Sequence, residues 1–213
     1  PQDFNLFANQ AQKEIFEQYF YDVNQFRRDS GNDTVYADVD DILEEKLQIF
    51  EEVNGSAAIA AWASTVNPLI KKLPDYIYRV SRIELNKASC EIMTTKDFNE
   101  VHNGSPLLLP TNTRPVANIG NNTMKCRADG GNLVVPSAVF YFRIPTDPIW
   151  GYFVVGSKAL YNSGESVDFE LHPAEEVELV YKILKYAGVS MQRDDIMRAG
   201  QGLDSLQVQQ EKQ

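Results

Sequence analysis

The chain has 213 residues, of which 43% are hydrophobic, 11% aromatic and 23% charged. This composition can bury a sizeable core, which excludes an intrinsically disordered protein. The sequence contains no run of about 18 apolar residues, so we expect no transmembrane helix. The formal net charge of −10 argues against non-specific binding to nucleic acid or to an anionic membrane, because both depend on clustered Lys and Arg.

Residues 1–65 are predicted to form helices. Large apolar residues in the segment 12–28 recur at spacings of one, three and four, which is typical of one face of a helix. Asp38 is expected to cap a second helix, and Gly55 is expected to end it. The Ala-rich segment 56–64 predicts a third, short helix.

The same region carries a large amount of aromatic surface. Tyr19, Phe20 and Tyr21 are consecutive, so a helix cannot direct all three side chains toward one core. Aromatic side chains are enriched in the cores of protein–protein interfaces. We therefore predict a contact between subunits that is formed by aromatic residues of this region, namely Phe16, Tyr19, Phe20, Tyr21 and Phe26.

Residues 66–165 are predicted to form a β-rich central domain. Prolines interrupt the region repeatedly, and the runs between them are rich in β-branched and aromatic residues. The predicted strand regions are 75–85, 89–95, 124–128, 134–145 and 151–162. A short polar helix is predicted at 96–103.

Residues 166–213 return to a helical pattern. The apolar residues on one face of the first helix are predicted to be buried as its core: Val177, Val180, Ile183 and Leu184. Gly188 is expected to end this helix, a second short helix is predicted at 193–200, and the Gln-rich segment 203–213 is expected to dock on a neighbour. The chain as a whole is predicted to have an α+β fold with a helical N-terminal region, a β-rich centre, C-terminal amphipathic helices and an extended tail.

His172 is one of only two histidines in the chain, and Glu175 and Glu176 follow it closely. These residue types could hold a metal ion or act as an acid–base pair in a small metal-dependent hydrolase. A zincin motif, however, needs two histidines one helical turn apart. Pro173 suits the first position of a helix, and the two glutamates would meet the positive end of its dipole. We therefore predict a helix start here, with no catalytic residue, metal or cofactor.

Trp150 and Tyr152 follow a segment in which Asp147 lies between two prolines, a pattern that resembles a rigid recognition loop. Trp150 could pack in the core at a corner between strands, or it could contact a partner. Together with Tyr152 it could also form a ligand-binding surface for carbohydrate or peptide on the β-rich domain. We include both residues in the predicted interface.

Cys90 and Cys126 are the two cysteines of the chain. They could form one disulfide, but they do not make a disulfide framework. Both lie in β-like runs, without the basic neighbours or helix terminus that activate a thiol. We predict reduced thiols in the core, without a catalytic role.

Several local motifs follow one another in the second half of the chain: Trp150-Gly151, Tyr161-Asn162, then VDFELHPAEE, LVYKIL and AGV, with a Gln-rich end. In these features residues 106–213 resemble virion structural proteins of crAss-like bacteriophages. The resemblance is to proteins of the neck and tail that form rings below the portal.

The resemblance implies a non-enzymatic, homo-oligomeric ring protein or head–tail connector of the virion, made in the cytoplasm of the bacterial host. It implies a ring of about twelve copies if the ring follows the symmetry of a portal. Its partners would be the portal and other neck and tail proteins. Phage DNA would pass without specific binding, and no membrane partner is expected.

Overall fold

The computed structural model describes residues 2–26, 34–103, 109–190, 202, 203 and 205. The chain has an α+β fold, as its sequence predicts. It forms two compact units: Phe50–Ile144, here called the sheet unit, and Pro1–Ile49 with Pro145–Gln213, here called the helical unit. These bounds differ from the three regions predicted from the sequence, because the chain leaves the helical unit and later returns to it. No helix within the described ranges is long and apolar enough to cross a membrane.

The helical unit is built on α1 (Gln2–Phe26), which packs against α2 (Thr34–Gln48) and against α5 (Glu176–Ser190). Residues of α1 at spacings of three and four form its buried stripe: Ala8, Ala11, Gln12, Ile15, Phe16 and Tyr19. The side chain of Gln12 is fully buried, and it joins α1 to the returning chain. Its amide donates to the Thr146 carbonyl at 2.8 Å and accepts from the Glu170 backbone N–H at 3.0 Å.

Three predicted helix boundaries are wrong. Asp38 lies inside α2 instead of capping it, and α2 ends at Gln48, after which the chain forms a strand where more helix was expected. α5 continues through Gly188, because that glycine is buried within the helix instead of forming a left-handed cap. The predicted helix at 193–200 and most of the Gln-rich end lie outside the described residues.

The sheet unit contains two sheets with a shared core. Its elements are β1 (Glu51–Gly55), α3 (Ser56–Ala61), β2 (Lys71–Lys72), β3 (Ile77–Leu85), β4 (Ala88–Ser89), β5 (Glu91–Met93), α4 (Thr95–Asn103), β6 (Val116–Gly120), β7 (Thr123–Ala128), β8 (Asn132–Val134) and β9 (Ala138–Arg143). One sheet has the order β1-β9-β3-β4, and the other has the order β2-β7-β6-β5 with β8 beside β7. The predicted helices α3 and α4 are confirmed.

Tight turns with left-handed residue pairs join neighbouring strands. Asn86 and Lys87 connect β3 to β4 with φ of 50° and 71°, and Asn121 and Asn122 connect β6 to β7 with φ of 51° and 54°. Two successive positive φ angles define the turn whose twist matches that of an antiparallel pair, and Asn tolerates this conformation. The pair at 121–122 therefore sets the register of β6, a strand that the sequence analysis missed.

Cys90 and Cys126 are free thiols buried in the core of the sheet unit, with their sulfur atoms 3.5 Å apart. The hydrogen bond with Cys90, together with burial, raises the pKa of Cys126. We expect neither thiol to react with Ellman's reagent in the native protein at neutral pH, and both to react after unfolding in guanidinium. The absorbance of the released thionitrobenzoate measures this. Fast reaction of either thiol before unfolding would contradict the buried arrangement.

Candidate interaction surfaces

His172 acts as the cap of the turn that leads into α5. Its Nδ1 accepts a hydrogen bond from the Ala174 backbone N–H at 3.2 Å, and Pro173 opens a 3-10 turn, as predicted. Glu175 is buried and forms an ion pair with Lys46 of α2. The structure therefore directs His172 and Glu175 to different partners. In the parts of the chain that the structure describes, no three His, Cys, Asp or Glu side chains are grouped so as to hold a metal ion.

The face of α5 that packs on α1 is polar. Lys182 Nζ lies 3.0 Å from Glu14 Oε1 of α1 and 3.2 Å from Glu178 Oε1, one turn earlier in α5. Tyr186 donates a hydrogen bond to Glu14 Oε2, and Lys185 Nζ lies 3.7 Å from Glu14 Oε1. The side chains of Lys182 and Glu178 are 3% and 2% exposed. α5 is therefore docked through a buried network of charges.

This network shifts the pKa values of its members. Burial alone would raise the pKa of Glu14, but hydrogen bonds from Tyr186 and Lys182 and the charges of Lys182 and Lys185 lower it below its ordinary value. Burial and the hydrogen bond to Glu14 raise the pKa of Tyr186 to about 12. Both shifts favour the state in which Glu14 is ionised and Tyr186 carries its proton.

A carboxyl group whose pKa is lowered by folding stabilises the protein above its unfolded pKa, and this contribution is lost as the pH falls through its folded pKa. We expect the free energy of unfolding to decrease as the pH falls below about 4.3, the ordinary value for Glu. In Glu14→Gln this decrease should be shallower. Urea unfolding at a series of pH values measures both slopes, and equal slopes would contradict a role for Glu14.

The prediction that the apolar face of α5 is buried is wrong. Val177, Val180 and Leu184 are 51%, 49% and 43% exposed, and Ile183 is only partly buried. The reason is that the opposite face, which carries Glu178, Lys182 and the buried Leu179, is the one directed toward Glu14 of α1. We call Val177, Val180 and Leu184 the α5 surface. An apolar stripe left exposed on a helix is typical of an interaction surface.

The predicted aromatic interface of α1 is only partly available at the surface. Phe16 and Tyr19 are 2% and 3% exposed, because they belong to the stripe that α1 buries inside its own unit. Phe20 is half-buried and packs edge-on against Phe16, with ring centroids 5.2 Å apart. Tyr21 is 64% exposed. The side chain of Phe26 lies outside the described residues.

Trp150 precedes an exposed hairpin, residues 152–161, and connects it to the N-terminal part of α1. Its backbone N–H donates to Asn5 Oδ1 at 2.9 Å, and Phe4 packs edge-on against the indole ring, with centroids 6.3 Å apart. Tyr152 stacks on the same indole ring, with centroids 6.1 Å apart. Trp150 is 36% exposed, so it both packs within the unit and reaches the surface.

Gly151 lies at the base of the hairpin, where the chain meets the segment 162–166. Its carbonyl accepts from the Asn162 N–H at 2.9 Å, and its N–H donates to Ser166 Oγ at 3.1 Å. A Cβ at this position would lie 2.7 Å from the backbone carbon of Glu165 and 2.8 Å from the carbonyl oxygen of Asn162. The neighbouring backbone therefore leaves no room for a side chain at position 151.

We expect Gly151→Ala to lower the free energy of unfolding by about 1–3 kcal/mol, because overpacking against backbone cannot be relieved by a rotamer change. Gly156→Ala tests the alternative that any glycine change in this region has the same effect. Gly156 has open space around its Cβ position, and its positive φ of 54° accounts for a smaller loss of about 1 kcal/mol. Chemical unfolding of both variants compares the two losses, and a larger loss for Gly156→Ala would contradict this account.

Beyond this base the chain forms a hairpin of β10 (Tyr152–Val155) and β11 (Lys158–Tyr161). Within the described residues these two strands pair only with each other. We call its large exposed apolar residues the hairpin surface: Phe153, Val154, Val155, Leu160 and Tyr161, which are between 44% and 64% exposed. The strands were predicted, but their exposure was not. An apolar run without Asp or Glu, as in 149–161, normally indicates a buried strand, so the sequence carried no signal for this exposure.

No protein-family model matches the chain, and no curated protein is significantly similar to it in sequence. The function of the α5 and hairpin surfaces must therefore be inferred from their chemistry and from the local motifs of the sequence.

Proposed function

We propose that the chain is a structural subunit of a bacteriophage virion, forming a ring in the neck or tail that connects the portal to the tail and lets DNA pass. One observation carries the proposal: α5 buries Glu178 and Lys182 together with Leu179, and leaves Val177, Val180 and Leu184 exposed. Exposed apolar surface costs about 25 cal/mol for each Å² that could be buried. A partner that covers the α5 surface recovers this free energy, which favours a subunit of an assembly.

The positions of the two surfaces favour a ring. Asn5 anchors the base of the hairpin to α1, and Glu14 anchors α5 to the same helix. Nine residues along a helix separate these anchors by about 13 Å. Two different surfaces that are anchored to the same helix favour a head-to-tail contact between copies. Repeated head-to-tail contacts close into a ring when the rotation between neighbouring copies permits it.

The charge of the chain fits a protein that DNA passes. A net charge of −10 repels phosphates, so DNA inside such a ring would slide instead of binding. The motifs in residues 106–213 that resemble neck and tail proteins of crAss-like bacteriophages give the same assignment.

Electron microscopy tests the assignment. Class averages of the purified protein, alone and mixed with isolated portal, should show rings with a central opening that attach to the portal. Particles that remain monomeric at high concentration and do not attach to the portal would overturn the proposal. Rings that form but attach to another part of the virion would retain a ring protein and overturn its place beside the portal.

A further inference from the structure

We propose that the hairpin surface of one copy packs on the α5 surface of the next copy. This inference rests on the proposed function and specifies the contact by which the ring would form.

The hairpin is apolar on both of its faces. Phe153 pairs with Leu160 on one face, and Val154 pairs with Ala159 on the other. A two-stranded hairpin is only marginally stable in water without further packing. Its base is fixed by the hydrogen bonds of Gly151, but its strands expose both faces. The hairpin therefore presents a structure that gains stability when a partner covers it.

The exposed area is large enough to matter for assembly. Five large residues that are each about half exposed, at roughly 200 Å² for a large side chain, leave on the order of 500 Å² of apolar surface. A standard interface buries about 800 Å² on each partner. Because these residues are divided between the two faces of the hairpin, the face that meets a partner supplies part of one side of such an interface.

Charge selects a second copy of the chain as the partner. Copies with a net charge of −10 repel one another, but residues 149–161 contain neither Asp nor Glu, and their only charged residue is Lys158. The α5 surface is flanked by the exposed Glu176, which precedes Val180 by one helical turn. In the proposed contact, the positive charge of Lys158 lies beside the negative charge of Glu176 at the edge of the α5 surface. Every copy carries both halves of this match.

The native cysteines are buried, so introduced surface cysteines can be cross-linked selectively. We would mix Val155→Cys protein with Val180→Cys protein and add a short bis-maleimide, because Val155 is exposed and pairs with Lys158 on the hairpin. The control is Lys96→Cys, whose position on α4 is exposed and belongs to neither surface. We expect dimers that join position 155 to position 180, with few dimers from either variant alone or from the control.

Three results would overturn the inference in distinguishable ways. Oligomers that cross-link mainly 155 to 155 or 180 to 180 would overturn the head-to-tail contact and leave the proposed ring standing. Oligomers without cross-links at either position would place the contact elsewhere on the chain. Mixtures that stay monomeric at high concentration would overturn the proposed ring as well.

A charge reversal gives an independent readout. Lys158→Glu should weaken self-association roughly fivefold, the size expected of a single partly exposed ion pair. Adding Glu176→Lys to the same chain should restore it. Equal association of all three proteins would overturn the pairing of these two residues.

Discussion

Lys182→Met is expected to lower the free energy of unfolding by about 3–5 kcal/mol. The ammonium group of Lys182 lies between the carboxylates of Glu14 and Glu178, and its side chain is 3% exposed. Methionine fills a similar volume but removes the cation, so the buried carboxylate of Glu178 is left beside Glu14 without its cation. Urea unfolding followed by circular dichroism at neutral pH measures the loss.

Lys185→Met is the matched control. Lys185 approaches the same Glu14 carboxylate at 3.7 Å, but its side chain is 25% exposed. A more exposed and longer ion pair contributes about 0–1 kcal/mol, so the loss should be several times smaller than for Lys182→Met. Equal losses would mean that burial does not determine the effect. Glu178→Leu combined with Lys182→Met should recover part of the loss, because an apolar pair removes the uncompensated charge.

Val180→Asp combined with Leu184→Asp is expected to abolish self-association without unfolding the chain. Both residues are almost half exposed, so their replacement removes little of the core. Burying an unpaired carboxylate in an interface costs several kcal/mol, which weakens association on the order of 100-fold or more. Light scattering measures the association, and thermal unfolding shows that the fold is retained.

Val66→Asp is the control for this variant. Val66 is fully exposed, and it belongs to the sheet unit and to neither proposed surface. It adds a negative charge without placing it on the α5 surface, so association should be unchanged. A double variant that associates as strongly as the control would exclude the α5 surface from the interface.

The sequence did not predict which face of α5 packs on α1. The spacing of Val177, Val180 and Leu184 correctly placed them on one face of a helix. It did not show which face packs on α1, because an apolar stripe is normally the buried one. The deciding partner is Glu14, which lies 168 residues before Lys182. A pattern within one helix carries no information about a contact at that distance in the sequence.

The strands and short helices of the sheet unit were easier to predict. β3 and β9 lie in runs rich in β-branched and aromatic residues, and α3 lies in an Ala-rich segment. The strands β1, β2 and β6 were missed, and the identity of the short strand β6 depends on the turn that follows it. The aromatic interface of α1 was overestimated because consecutive aromatic residues can divide between a buried stripe and the surface, as Tyr19 and Tyr21 do.

The mass of the wild-type protein in solution, measured by light scattering over increasing concentration, tests the central claim most directly. The claim is that the exposed α5 and hairpin surfaces join copies of the chain. We predict particles of several times the 24.1 kDa mass of one chain, and particles of one chain for the Val180→Asp, Leu184→Asp variant. A wild-type mass of 24.1 kDa at every concentration would contradict the claim.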